Sequence, residues 1–187
     1  MRHFLTSATL ALALGAPLAA ADSYDVDAIH TSALFKLNHL GASNFWGRFN
    51  DVSGSLTWDG ADVAKSAISI TIKADSVDTN QKDRDGHLKG PDFFNTKQFP
   101  TFTFVSKSFT KVDDMNYTVT GDLTLAGTSK PLTITVTKIG EVEVPKFGHR
   151  IGFDTTFAIK RSDFGIKGVP GVGDDVTVLI SLEGVKK

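Results

Sequence analysis

The chain contains no cysteine. Disulfides cannot hold it together, although an exported protein would enter a compartment that permits them. Nor is there a thiol to carry a lipid anchor behind a leader. Stability has to come from an apolar core, and the chain is long enough to build one. An excess of basic residues is also missing. Twenty Lys and Arg stand against 21 Asp and Glu, a formal charge of −1, which is not the footprint of a nucleic-acid binder. No repeat, linker or low-complexity tract interrupts the sequence, so one domain is expected. Tyr and Trp are scarce, two of each, against 14 Phe.

Long apolar runs are limited to Ala8–Ala21, which follows Arg2 and His3 and ends in Ala19-Ala20-Ala21. The run is too short and too Ala-rich for a bilayer span of ~20 residues. It fits a signal peptide cleaved between Ala21 and Asp22. Removing 21 of 187 residues leaves a mature domain, 22–187, of 166 residues with a net charge of −2 once Arg2 is gone. The expected location is the periplasm.

What remains is dominated by a period of two, the mark of strands with one buried face. Ile68, Ile70 and Ile72 alternate with small polar residues, as do Phe102 and Phe104 with Thr. Further alternating runs are Tyr117–Leu125, Leu132–Val136, Ile151–Ile159 and Val176–Leu182. With Ala33–Leu40 and Ser55–Trp58, about eight strands are expected, joined by turns such as Asp59-Gly60, Asp113-Asp114 and Ala126-Gly127. Thr suits both the pleat and a wet outer face. Two segments break the rhythm. Asp78–Pro91 is polar and reads as a short helix capped by Asp78 or Thr79. Gly165–Asp175, with four Gly and a Pro, reads as an irregular loop. The pattern is all-β and antiparallel, and by itself allows either a sandwich or a closed barrel.

Several strings resemble the YceI family in order and spacing. They are Tyr24–Ser32 with Phe35 and His39-Leu40-Gly41; Gly47-Arg48-Phe49 with Gly54; Thr79 with Arg84-Asp85, His87-Leu88 and Asp92-Phe93-Phe94; Phe99–Phe104; Gly121–Leu125 with Gly127 and Lys130-Pro131; and Arg161–Gly165. The resemblance spans essentially the whole mature chain. Gly86, inside the helical string, departs from it mildly. The resemblance implies an eight-stranded, lipocalin-like antiparallel barrel with one short helical insert. It further implies a periplasmic binding protein whose cavity holds a polyisoprenoid, quinone-like or fatty-amide chain.

A dry tube favours Phe over aromatic residues with a polar handle. The candidate lining is Phe35, Leu37, Phe45, Trp46, Phe49, Ile70, Phe93, Phe94, Phe102, Phe104 and Phe164; core filling explains the same composition. Adjacent Phe93 and Phe94, if extended, point to opposite faces. One would then plug the barrel while the other meets the ligand or a partner, or the pair would staple the helix end. Arg84, Asp85 and His87 suggest an anion clamp beside an acid–base pair, or a network fixing the helix. No Ser or Cys nucleophile motif accompanies them. Arg161 is a candidate for a ligand head group or for a salt bridge with Asp85 or Asp163. The histidines lack the short spacing of metal ligands, so no metal is expected. The expectation is therefore a non-enzymatic carrier that needs no cofactor beyond a bound long-chain lipid. Its partners would be that lipid, a membrane met transiently, and a second copy docked through strand edges or Phe93-Phe94. Rival readings are an enzyme of the same fold and a packed module, structural or stress-related, that binds nothing.

Overall fold

The computed structural model describes residues 21–187. The expected signal peptide therefore lies outside the described residues except for Ala21. Alternating sequence becomes strand throughout: β1 (Asp22–Val26), β2 (Ser32–His39), β3 (Ser43–Phe49), β4 (Val52–Trp58), β5 (Ala67–Lys73), β6 (Val77–Asp78), then helix α1 (Lys82–Leu88), β7 (Thr101–Lys111), β8 (Asn116–Leu125), β9 (Thr128–Val144), β10 (Gly148–Lys160) and β11 (Val172–Lys186). All pairings are antiparallel, in the order β1-β4-β5-β7-β8-β9-β10-β11. β1 then pairs with β11 and closes the ring, with Tyr24 opposite Lys186.

Three short strands, β2, β3 and β6, continue others past a break. β11 pairs through Gly184 with β1 and through Ser181 with β2. β3 and β4 pair with β2 and β1 respectively, and β6 prolongs β5. The eleven segments therefore amount to an eight-stranded closed barrel, as the sequence implied. β3 was not among the strands expected from periodicity. Its run Ser43-Asn44-Phe45-Trp46-Gly47-Arg48-Phe49 offers no clean polar–apolar alternation, and it forms by pairing along the whole of β2. The helix cap also differs from expectation. Gln81, not Asp78 or Thr79, caps α1, its side-chain oxygen accepting from the Arg84 N–H at 2.6 Å. Asp85 draws Thr79 into the loop instead. The irregular loop is shorter than expected, because β11 starts at Val172.

Two bulges reset the inward face. In β7, Ser106 faces Gly121 and Ser108 faces Thr120, leaving Lys107 unmatched. Phe109 is thereby turned into the core. In β9, Gly140 faces Gly152 and Lys138 faces Phe153, leaving Ile139 unmatched and outside, 58% exposed.

One barrel end is packed solid. Tyr24, Leu56, Trp58, Tyr117, Ile151 and Phe153 are buried there. The Trp58 ring meets Tyr117 and Phe153 edge-on, with centroids 5.0 and 5.2 Å apart. The buried Tyr24 donates to Glu141 at 3.1 Å, satisfying its hydroxyl. A second cluster around Phe35, Leu88, Phe93, Leu123 and Ile166 lies toward α1.

Two carboxylates of the closed end titrate abnormally. For Glu141, burial pulls the pKa upward, but hydrogen bonds from Lys138 and His149, the Lys138 charge and Tyr24 outweigh it and hold the group at about 2. Hydrogen bonds from His30 and Arg150 hold Asp27 well below the usual carboxylate range, against burial and aided by the backbone N–H groups of Ile29 and His30. Both pKa values are depressed on folding. Their stabilisation is therefore complete above the unfolded values near 4 and is lost as pH falls through the folded ones. The thermal midpoint should be level above about pH 5 and drop between about pH 4.5 and pH 2. Glu141→Gln should cost about 1–2 kcal/mol at neutral pH and flatten the acid drop, as read by calorimetry across pH.

Candidate functional site

Between the two packed clusters the barrel encloses a cavity of about 570 Å³, within the ~300–1,000 Å³ of small-molecule sites. Its wall is built by the period-two alternation of the strands. Ile68, Ile70 and Ile72 come from β5, Phe102 and Phe104 from β7, Val176, Val178 and Ile180 from β11. Toward α1 the wall becomes a collar of Phe rings. Phe49 lies 5.6 Å from Phe35, Phe94 and Phe102, and Phe94 lies 5.3 Å from Phe102. The Phe35 ring lies over Gly47, its cross-strand partner. A Cβ at position 47 would stand 2.3 Å from that ring, so glycine is what lets the collar form.

A group of polar residues gathers at the α1 end, while Thr103, Asp154, Thr155 and Arg161 line the wall elsewhere. His39, Ser43 and Asn44 come from the β2–β3 hairpin, Arg84 and His87 from α1. The Arg84 guanidinium lies 4.6 Å from the Phe45 ring centroid, a cation–π contact. Its Nε donates to Thr79 Oγ1 at 2.9 Å and its terminal nitrogen to the Thr79 carbonyl at 2.7 Å. Asp85 accepts from the Thr79 N–H at 2.9 Å and from the Thr79 hydroxyl. The Arg84–Thr79–Asp85 network fixes α1 against β6, which is the structural alternative weighed from the sequence. Asp85 does not line the cavity, and its hydrogen bonds are to Thr79 rather than to His87. His87 instead sets its ring edge-on to Phe93, 5.0 Å away.

Arg161 corrects a second expectation. It makes no salt bridge with Asp85 or Asp163. Its guanidinium donates to the carbonyls of Gly173 (3.0 Å), Ile166 (2.9 Å), Val172 (3.2 Å) and Lys167. Gly168 leaves the room: at φ +67° it sits where a Cβ would come 2.8 Å from the guanidinium carbon. One side chain thus ties the loop between β10 and β11 while its edge lines the cavity.

Of the lining expected from sequence, Phe35, Leu37, Phe45, Phe49, Ile70, Phe93, Phe94, Phe102 and Phe104 do face the cavity. Trp46 does not. Strand neighbours point to opposite faces, and with Phe45 inward Trp46 is 48% exposed, under the Lys36 ammonium at 5.4 Å. Phe164 is buried but faces an outer depression instead. Phe93 and Phe94 were expected on opposite faces. Residues 91–94 form turns rather than strand, so both rings reach the cavity and neither offers a dimer surface. Residues missed from sequence include Phe153 and Phe157, whose alternation in β10 could have flagged them. Ile166 and Val169, in the irregular loop, carry no period to read. Among the described residues, Asp27, His30 and Glu183 bring ligand atoms within 4.8 Å of one another. Arg150 already donates to both carboxylates, so a guanidinium fills the place of a cation there.

The family model of the YceI-like domain matches residues 24–184. Protein YceI of Escherichia coli is 40% identical over 184 residues, covering 98% of this chain and 96% of its own. Among solved structures, BcnA of Burkholderia cenocepacia superposes with a TM-score of 0.76 at 27% identity, over 84% of this chain and 98% of that one. A polyisoprenoid-binding domain from Saccharophagus degradans shares the fold, with a TM-score of 0.69 at 18% identity over 88% of this chain and 98% of that one.

Arg161→Lys should expose the role of the loop tie, because an ammonium cannot reach four carbonyls spread over two sides of a loop. The expected cost is about 1.5–3 kcal/mol, with faster amide exchange confined to residues 166–173. Unchanged exchange there would show the loop to be held by its apolar contacts instead.

Proposed function

The chain belongs to the YceI-like domain family, and from that premise we propose that it is an exported carrier of a long-chain apolar molecule: a polyisoprenoid, a quinone-like lipid or a fatty amide. The observation that carries the proposal is the cavity itself, a space of about 570 Å³ walled mainly by Ile, Val, Leu and Phe, with His39, Asn44, Arg84 and His87 grouped at one end. A packed module would fill that space with its own side chains. The sequence of residues 1–21 supports export, and the polyisoprenoid-binding domain that shares the fold supports the ligand class.

The mechanism is sequestration. Each methylene moved out of water is worth ~0.8 kcal/mol, so a long chain does not cross an aqueous compartment unaided. Moving from a bilayer into an aliphatic barrel leaves that term nearly unchanged, which permits both loading and unloading. The head group would rest at the α1 end, near His39, Asn44, Arg84 and His87. Passage in and out would go through displacement of α1 or of the loop tied by Arg161, the two covers that are not part of the barrel ladder.

Native mass spectrometry of the mature protein, purified without detergent and followed by solvent extraction, tests the reading. A stoichiometric apolar adduct is expected, and its mass names the cargo class. A clean apo mass that persists after incubation with quinones, polyprenols and fatty amides would overturn it. His87→Ala separates carrier from enzyme: a carrier keeps its cargo, whereas an enzyme keeps binding and loses turnover.

A further inference from the structure

The barrel wall loses its ladder in two places. Beyond Lys73–Thr101, β6 no longer meets β7, and α1 with the segment after it covers the gap. The second loss is between β9 and β10. Their pairing ends at Thr155–Val136, where the Thr155 hydroxyl donates to the Thr135 carbonyl at 2.7 Å. From there, residues 128–135 of β9 pair only with β8, and residues 156–160 of β10 only with β11. Pro131, which has no N–H to offer a neighbour, lies in the unladdered stretch. The 3-10 turn Arg161–Phe164, which follows β10 and packs against both β9 and β10, borders this second gap and supplies Phe164; side chains close the rest.

Outside the gap is a depression of about 350 Å³ lined by Pro131, Leu132, Ala158, Ile159 and Phe164 together with the charged Lys130, Lys160, Asp163 and Asp175. Leu132 and Ile159 line the main cavity as well. Two half-buried side chains are thus the partition between the inside of the barrel and this depression on its surface.

We propose that Leu132 and Ile159 are specificity-determining residues that set the longest linear chain the barrel holds, with the outer depression as the subsite a longer chain would enter. The inference rests on the carrier reading above. A main-chain ladder cannot be parted by a ligand without breaking rungs, whereas a rotamer change moves a side chain in nanoseconds or less. A chain lying against Leu132 and Ile159 therefore meets a soft wall here, whereas outside the two gaps it meets main-chain ladder.

The test is the affinity of a homologous series of linear fatty alcohols, measured by displacement of a fluorescent apolar probe. Each methylene that stays buried should tighten binding about fourfold, and the length at which the gain stops marks the chain's end. In Leu132→Ala and in Ile159→Ala that break should move to longer alcohols. It should return to the wild-type length when Lys130→Cys, added to either variant, carries a bulky maleimide over the depression; the cysteine-free chain makes that labelling specific. Leu132→Val and Ile159→Val serve if the alanine variants do not fold. A break at the wild-type length in folded variants would overturn the proposal. Failure of wild-type protein to bind any member of the series would instead overturn the carrier reading.

Discussion

The β1–β11 ladder, with Tyr24, Asp25 and Val26 opposite Lys186, Val185 and Gly184, turns a twisted sheet into a ring, and the cavity exists because of it. In an open sheet the two faces would collapse until apolar side chains met. In a ring of eight strands the main-chain rungs fix the circumference, and the interior is as wide as those rungs dictate. Side chains then either fill it or leave room. At the closed end Trp58, Tyr117 and Phe153 fill it. Toward α1 a collar of Phe rings and the cluster around Phe35, Leu88 and Phe93 pack again, and between the two ends Ile, Val, Leu and Phe line the wall of the cavity.

The same ladder explains where polar chemistry can occur. Main-chain groups in the wall are spent on one another, so the cavity offers a ligand few hydrogen-bond partners except where the ladder stops. Its polar residues accordingly include a group at the β2–β3 hairpin and on α1, and Asp154, Thr155 and Arg161 beside the break between β9 and β10. Arg84 and Asp85, the most enzyme-like residues in the sequence, meet at Thr79 because α1 is a free-standing turn of helix over a barrel rim. A seven-residue helix has little stability of its own, and it needs such a tie to stay in place.

Much of this was legible in the sequence, and the reasons differ by element. Ile68-Ile70-Ile72 and Phe102-Phe104 declared both strand and inward face, because a period of two has one structural meaning when one side is wet. The eight-strand count survived although the ladder is cut into eleven pieces, since breaks at 27–31, 50–51 and 74–76 leave the strand directions unchanged. Trp46 lies outside because strand neighbours face opposite ways and Phe45 takes the inward position. Bulges at Lys107 and Ile139 were invisible, for an extra residue changes register only relative to a partner strand that the sequence does not name. Ile166 and Val169 were beyond reach for a related reason, since loop residues carry no period and reach the cavity only because Arg161 folds their backbone over it.

A closed ring is also an obstacle, since anything that enters the cavity must pass a wall whose main-chain ladder does not open. The molecule meets that constraint by assigning its weakest connections to its least regular segments. α1 is held by the Thr79 network, the β10–β11 loop by the Arg161 guanidinium with main-chain bonds to Leu40 and Asp92, and the β9–β10 gap by the packing of Leu132, Ile159 and Phe164. Each involves a handful of contacts, against dozens of main-chain rungs around the ring. Local opening free energies scale with what must be broken. Local opening therefore belongs to these places, and the laddered barrel between them can stay rigid.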